Sequence, residues 1–211
     1  MLGKASEFDS GPEFRLPAPI QHGGMPLAET IARRRSVRSY KRESLPLAHL
    51  SQLLWAAQGI TDAQGLRAAP SAGATYPLEL FAVIGQGGVE GLDGGIYHYN
   101  VGGHSLHLYK RGDLRPQFSA AALDQRFIVE APVDIVICAV YERTSWRYGK
   151  RAERYVHMEA GHVGENIYLQ AVALGLAAVM VGAFHDEDVS TVMGLAKEVQ
   201  PLYIIPVGKP R

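Results

Sequence analysis

The sequence predicts an α+β fold built around one sheet. Residues 151–174 carry apolar side chains at spacings of three and four, which is typical of a long amphipathic helix. Residues 133–141 are almost continuously apolar, as in a strand that is covered on both faces. Residues 95–100 and 105–110 flank a short turn that contains two glycines, which predicts an antiparallel hairpin. A long helix, a buried strand and a hairpin in one chain favour mixed helices and strands around a single core.

Two further helices are predicted in the first third of the chain. Residues 26–35 begin at a proline that suits a first helical turn, and they place Leu27 and Ile31 on one face. Residues 46–57 repeat leucines with the same period and stop before Gly59. The other predicted elements are a loop at 65–77, strands at 78–84, 177–181 and 202–207, and helices at 113–124 and 186–193.

Composition limits the classes of protein to which the chain can belong. Of its 211 residues, 47% are hydrophobic and 20% are charged, which indicates an ordered globular protein. The 21 basic and 21 acidic residues balance, and this argues against a general nucleic-acid binder. No apolar run approaches the roughly 20 residues of a membrane span. The single cysteine, Cys138, rules out an intramolecular disulfide framework and is expected to pack in the core.

The first 24 residues differ from the rest of the chain. They mix glycine, proline and acidic residues and lack the apolar stretch of a secretory signal. We therefore expect an N-terminal extension over residues 1–24, partly disordered or a cloning remnant, followed by one domain over residues 25–211. The chain is expected to be soluble and cytoplasmic.

A basic stretch over residues 33–40 contains four arginines and Ser36 in a chain of zero net charge. Guanidinium groups match phosphate oxygens two at a time, and a serine hydroxyl adds a further donor. The stretch therefore indicates a phosphate site. A solvated basic surface, a nucleic-acid patch and support of the helix dipole remain alternative explanations.

Three other segments carry possible binding chemistry. The loop from Pro70 to Ala74 has almost no side-chain bulk, so its backbone can approach a flat ligand. Gly182 follows a predicted strand at a position where ligands of open sheets often bind. Lys209 and Arg211 add two cations after the last strand, although a basic tail is usually solvated. No metal site is expected, because Glu159-x-x-His162 is only half of a carboxylate site.

Six segments taken in order resemble the nitroreductase family, in particular its SagB-type dehydrogenase branch. The segments are Arg34-Arg35-Ser36-Val37-Arg38, the loop 70–77, Glu130-Ala131-Pro132-Val133, the helix from Glu159 to Gly175-Leu176, the turn Val181-Gly182-Ala183-Phe184 and the closing Pro206-Val207-Gly208-Lys209. The resemblance extends over residues 26–211.

The resemblance implies a mainly antiparallel sheet flanked by helices, in an intertwined homodimer with FMN at its interface. It also implies two-step electron transfer, from NADH or NADPH through the flavin to a small acceptor. The residues implied for the phosphate and pyrimidine edge are Arg34, Arg35, Ser36, Arg38, Lys209, Arg211 and, more loosely, Gln125. Those implied for the flavin ring are Val181, Gly182 and Ala183, with Pro70, Ser71, Ala72, Gly73 and Ala74 contributed by the partner subunit.

The chain departs from the family pattern at several positions. Ala74 and Tyr76 stand where many members have Asn and Gln, and Gly182 stands where many have Glu. Members that oxidise azoline rings in modified peptides carry a Lys-Tyr pair, and the nearest match is Arg147-Tyr148. Arginine is a poor base, so azoline oxidation is kept as an alternative, with Tyr148 as a pocket residue. A flavin-binding module without turnover is a second alternative.

Overall fold

The computed structural model describes residues 8–211 and confirms the predicted α+β class. Seven strands form one sheet, in which every strand pairs with its neighbours in the antiparallel sense and the order is β1-β4-β3-β2-β5-β7-β6. The strands are β1 (Glu13–Arg15), β2 (Leu78–Ile84), β3 (Gly95–Asn100), β4 (Ser105–Arg111), β5 (Val133–Val140), β6 (Ala177–Ala178) and β7 (Val199–Gly208).

Helices cover both faces of this sheet. They are α1 (Leu27–Arg33), α2 (Leu47–Gln58), α3 (Arg115–Ala121), α4 (Phe127–Glu130), α5 (Glu142–Tyr148), α6 (Ala152–Ala173) and α7 (Asp186–Met193). Ile135 and Ile137 of β5 join the core under α2 and α6, whereas Val136 and Cys138 join the core on the opposite face. Alternate residues of a strand point to opposite faces, so the continuous apolar run in β5 results from burial on both sides. Among residues 8–211, no helix is long and apolar enough to cross a membrane.

Part of the N-terminal extension, which was expected to be partly disordered or a cloning remnant, packs in the fold. Strand β1 pairs with β4, and Phe8 is buried with its ring edge-on to Phe81. A three-residue strand is too short to show an alternating pattern, which is why the sequence did not reveal it. Residues 1–7, for which disorder was also considered, lie outside the described part of the chain.

Several boundaries differ from the predictions. Helices α4 and α5 were not predicted, because each is too short to display a helical period. The predicted strand at 177–181 stops at Ala178, and the amide of Met180 donates to the Tyr168 hydroxyl (2.9 Å) rather than to a neighbouring strand. Helix α1 forms as predicted, yet Leu27 and Ile31 remain 65% and 57% exposed. Their shared face therefore does not pack on the core of this chain.

Asp134, the second residue of β5, is unfavourable for the stability of the fold. Its side chain is fully buried, and both carboxylate oxygens lack a hydrogen-bond partner among the described residues. Burial raises the pKa of this carboxyl well above its usual value, despite the nearby charge of Arg115. A buried, unsatisfied polar group costs about 1–3 kcal/mol.

We expect Asp134→Val to stabilise the protein by roughly 1–3 kcal/mol at neutral pH. Because the folded-state pKa is raised, the wild type loses stability as pH rises above about 3.9, the value in the unfolded chain. The Asp134→Val variant lacks this pH-dependent loss of stability. Thermal unfolding of both proteins between pH 4 and 8 measures the difference. Asp113→Val is the control, because the Asp113 carboxylate is bound by Arg115 (2.5 Å) and its loss is expected to destabilise. An Asp134→Val protein that unfolds at a lower temperature than the wild type at pH 8 would contradict the prediction.

Candidate functional site

The two ends of the domain meet in what we call the basic corner, formed by residues 34–38 together with Lys209 and Arg211. Residues 36–41 run beside the end of the sheet, where the Val37 amide donates to the Ala178 carbonyl (3.0 Å). The C-terminal residues bond to the same segment: the Arg211 amide donates to Ser39 (3.2 Å), and Lys209 accepts from the Lys41 amide (2.9 Å). Two basic segments that are distant in sequence are therefore neighbours in the fold.

The cations of the basic corner differ in their partners. Arg35 donates to the carbonyls of Ala32 and Arg34 at the end of α1, and Lys209 pairs with Glu43 (2.7 Å). Both side chains thus have a structural role in this conformation. Within residues 8–211, neither Arg38 nor Arg211 has an acidic partner within 4.0 Å. These two guanidinium groups are available to an anion, whereas Arg34 lies 4.0 Å from the Glu165 carboxylate.

Ser36 and Arg34 are held by Tyr168, which the sequence analysis did not select. The Tyr168 hydroxyl lies 2.8 Å from Ser36 Oγ and accepts the Met180 amide, while its ring lies 5.1 Å from the Arg34 guanidinium carbon. When Tyr168 donates to Ser36, the serine proton remains available for a ligand. Tyr168 lies on the helical stripe of α6, and this position gives no sequence signal for such a role.

The turn after β6 brings two predicted site segments together. Gln125 Nε2 donates to the carbonyls of Ala183 (2.9 Å) and Ala122 (2.8 Å). Val181 pairs with Ile204 of β7 through reciprocal backbone bonds, so the turn is fixed to the sheet. Gln125, which the resemblance assigns loosely to the pyrimidine edge, thus lies beside the turn at residues 181–183, and its role stays a prediction.

The loop at residues 70–76 has an unusual backbone. Gly73, Ala74 and Tyr76 have φ values of 60°, 53° and 46°, in the left-handed region. Non-glycine residues rarely occupy that region, and such conformations concentrate at functional sites. The loop is nevertheless ordered by its own bonds, because the Tyr76 amide donates to Ser71 Oγ (2.9 Å) and the Ala74 amide to the Ser71 carbonyl (3.1 Å).

The start of α6 and the end of α5 support this loop. Arg147 Nη1 donates to the Gly73 carbonyl (3.2 Å), and a Cβ at Gly73 would lie 2.6 Å from the Tyr148 hydroxyl. The Arg147-Tyr148 pair therefore lies against the loop. Glu159 of α6 is buried beneath the loop. Burial raises the pKa of its carboxyl group, and a hydrogen bond with Ser71 partly offsets this increase.

Within one chain, the loop and the basic corner contact opposite halves of α6. The loop lies near Glu159, whereas Arg34 and Ser36 lie near Glu165 and Tyr168. Nine residues of helix separate Glu159 from Tyr168, which corresponds to about 13 Å at 1.5 Å per residue. The predicted site residues thus form two groups in the single chain rather than one.

Comparison with known proteins identifies relatives that extend over most of the chain. The model of the nitroreductase family matches residues 31–209. A relative from Methanocaldococcus jannaschii, whose name assigns it to the nitroreductases, is 43% identical over 183 residues, covering 87% of this chain and 90% of the relative. A similarly named protein from Ralstonia eutropha has a crystal structure that superposes with a TM-score of 0.83 at 31% identity, covering 94% of this chain and 90% of that one.

A more distant relative has a name that indicates a different role. The microcin B17-processing protein of Escherichia coli is 27% identical over 139 residues, which cover 64% of this chain and 51% of that protein. The chain therefore corresponds to about half of that relative's length.

Proposed function

Because this chain belongs to the nitroreductase family, a family of oxidoreductases, we propose that it is an FMN-dependent oxidoreductase. It takes electrons from NADH or NADPH and passes them to a small acceptor, for which nitroaromatic and quinone-like compounds are the candidates. The observation that carries the proposal is the basic corner, in which the backbone segments that carry Arg38 and Arg211 are hydrogen-bonded to each other and neither guanidinium has an acidic partner within residues 8–211. A phosphate dianion buried there would need such cations.

The described residues fit a mononucleotide. The guanidinium forks of Arg34, Arg38 and Arg211 and the hydroxyl of Ser36 form a donor set suited to a phosphate. A Cβ on Gly182 would approach only the Tyr203 ring, at 3.6 Å, so the backbone of this turn is open to a flat ring. Gln125 is anchored beside this turn through its amide nitrogen, which leaves its amide oxygen as an acceptor for an N–H group.

Bound FMN would supply the redox chemistry, and the protein would supply binding and orientation. In this proposal, Arg34, Arg38 and Arg211 hold the phosphate, with Lys209 and Arg35 adding positive potential. The backbone of residues 181–183 faces the ring system, and Gln125 meets its pyrimidine edge. Residues 70–74 cover the ring from the other side and limit the access of water.

We further propose that two copies of the chain are needed to complete each site. Within one chain, the loop contacts α6 near Glu159 and the basic corner contacts it near Glu165 and Tyr168, so they form two separate groups. The exposed apolar face of α1 with Leu27 and Ile31 borders a groove of about 680 Å³. Exposed apolar faces of this kind often mark interfaces. A second copy seated on that groove would cover the face and could contribute its own loop.

The purified protein is expected to be yellow, with flavin absorbance that NADH or NADPH bleaches without oxygen. Stepwise anaerobic titration with each nicotinamide measures the donor preference, and admission of menadione or a nitroaromatic compound restores the absorbance. Flavin that neither nicotinamide bleaches would contradict the proposed donor. Flavin that is bleached too slowly to sustain turnover with any acceptor would indicate a flavin-binding module instead. A colourless protein that does not bind added FMN would refute the proposal.

Azoline oxidation on a modified peptide is a second candidate function. Two observations favour it: the Arg147-Tyr148 pair lies against Gly73, and the chain resembles a microcin-processing protein. Arginine is a poor base, so Arg147 could orient a peptide but not remove a proton. A peptide carrying an azoline ring, incubated with the yellow protein and analysed by mass spectrometry, would lose 2 Da if this function were correct.

A further inference from the structure

A group of four charged side chains lies behind the loop at residues 70–76; three of them are at most 11% exposed, and the fourth, Arg143, is 39% exposed. His98 on β3 is 2% exposed, and its two ring nitrogens lie 2.7 Å from Asp9 Oδ1 and 2.8 Å from Glu79 Oε2. The other Glu79 oxygen accepts a hydrogen bond from Arg143 Nη2. Two cations thus face two carboxylates, and the group as a whole is neutral.

The protonation of His98 follows from this geometry. Both ring nitrogens face carboxylate oxygens, and both can donate only in the imidazolium form. Burial by itself would lower the pKa of His98, but the hydrogen bonds and charges of Glu79 and Asp9 outweigh it and raise the pKa. Burial opposes ionisation of Glu79 as well, yet His98 and Arg143 hold its pKa below the usual value. Glu79 is therefore a fixed anion that orients the Arg143 guanidinium.

Arg143 joins this group to the loop. Its Nη1 donates to the Tyr76 carbonyl (3.3 Å), and Tyr76 is one of the two non-glycine residues of the loop in the left-handed region. The next residue on α5, Thr144, lies 2.8 Å from the Thr75 hydroxyl. On the opposite side, the Arg67 guanidinium carbon lies 4.2 Å from the centre of the Tyr76 ring. This end of the loop is thus contacted by both arginines, and Arg143 connects the Tyr76 carbonyl to the buried Glu79 carboxylate.

We propose that Arg143 is a positioning residue for the flavin site. Glu79 and His98 fix its guanidinium, and the guanidinium in turn holds residues 73–76 in the conformation in which their backbone meets the flavin. The flavin part of this inference rests on the proposed function. The role of Arg143 in holding the loop does not rest on it, because the contacts of Arg143 with Glu79 and Tyr76 are present within the single chain without a ligand. Non-glycine residues keep left-handed backbone angles only where surrounding contacts hold them, and this explains why a fixed donor is needed at Tyr76.

Two variants separate loop positioning from fold stability. Arg143→Met removes both contacts and leaves Glu79 with His98 as its cation in place of the pair His98 and Arg143. Arg143→Lys restores a cation beside Glu79, but its single ammonium lacks the fork that reaches Glu79 and the Tyr76 carbonyl together. Arg115→Met is the matched control, because Arg115 also bonds a carboxylate, Asp113, and a backbone carbonyl, Ala131, away from the loop.

Backbone hydrogen exchange of residues 74–76, followed by mass spectrometry on the purified protein, measures the hold on the loop directly. We expect exchange to accelerate about tenfold or more in Arg143→Met and in Arg143→Lys, with the Tm recovering only in the lysine variant. FMN is expected to bind about tenfold more weakly in both variants, with slower bleaching by the nicotinamide. Arg115→Met is expected to lower the Tm without changing loop exchange or FMN binding.

The outcomes separate the two parts of the inference. Wild-type exchange rates at residues 74–76 in Arg143→Met would overturn the positioning role. A loosened loop with unchanged FMN affinity and unchanged bleaching would show that the loop does not serve the flavin, and would overturn the functional part. If the wild-type protein binds no FMN, the proposed function fails and the flavin part fails with it, while the exchange rates still decide whether Arg143 holds the loop.

Discussion

Arg38→Ala is expected to remove most of the FMN from the purified protein. Arg38 is exposed, has no acidic partner among residues 8–211 and lies at the meeting point of the chain's two basic segments. Loss of one partner of a buried charge pair costs about 2–5 kcal/mol, chiefly because the other charge is left uncompensated. This corresponds to a dissociation constant raised roughly 30-fold to several-thousand-fold. The ratio of flavin absorbance to protein absorbance after gel filtration measures retention, and fluorescence titration gives the constant.

Arg33→Ala is the matched control for Arg38→Ala. Arg33 belongs to the same run of arginines but pairs with Glu29 on its own helix at 2.6 Å. An exposed pair of this kind contributes about 0–1 kcal/mol, so we expect this variant to keep its flavin. Equal flavin content in Arg38→Ala and the wild type would place the phosphate elsewhere. Equal loss in both variants would indicate a general effect of positive charge rather than a site at Arg38.

The largest loss of stability is expected for Glu79→Ala. This change leaves His98 and Arg143 without their shared carboxylate, and the Glu79 side chain is only 11% exposed. Breaking a buried pair by removing one partner costs about 3–5 kcal/mol. For a domain of this size, that lowers the Tm by roughly 6–20 °C. Thermal unfolding followed by circular dichroism measures it, and Glu29→Ala, which breaks only an exposed pair, is expected to change the Tm little.

The pH dependence of stability tests the same group. The pKa of Glu79 is lowered in the fold, so its contribution is present above about 4.3 and is lost as pH falls through the folded value. The pKa of His98 is raised, so its contribution is complete below about 6.5 and is lost as pH rises through the folded value. Stability contributed by the group is therefore greatest between these limits. If the stability of Glu79→Ala changed with pH as steeply as that of the wild type, both below about 4.3 and above about 6.5, this account would be contradicted.

The elements with strong periodicity could be predicted from the sequence, and the short ones could not. Helix α6 and strand β5 agree with their predicted ranges within two residues, because each buries many side chains in a regular pattern. Helix α5 has seven residues and is separated from α6 by Gly149, whose φ of 52° interrupts the helix. Its seven residues show no apolar stripe, so only its contacts with the loop reveal its place in the fold.

The candidate site shows the same limit. The basic stretch, the small-residue loop and the C-terminal cations could be selected by residue type, because phosphate recognition needs particular donors. Their partners could not be selected in this way. Tyr168 lies in an ordinary helical stripe, and Glu79 lies in an apolar strand as an isolated charge. The roles of such residues depend on which atoms lie within hydrogen-bonding distance, and a linear pattern does not contain that information.

By itself, then, the sequence determined the α+β class, the main helices and strands, and the residue types suited to a phosphate, because these follow from local periodicity and side-chain chemistry. Tertiary structure alone decided that Arg35 and Lys209 have hydrogen-bonding or acidic partners while Arg38 and Arg211 have no acidic partner within residues 8–211, and that Gln125 meets the turn at Ala183. It alone placed Arg143 between Glu79 and Tyr76. The physical reason is that electrostatic and hydrogen-bonding interactions act over a few ångströms in space, and folding sets those distances between residues far apart in the chain.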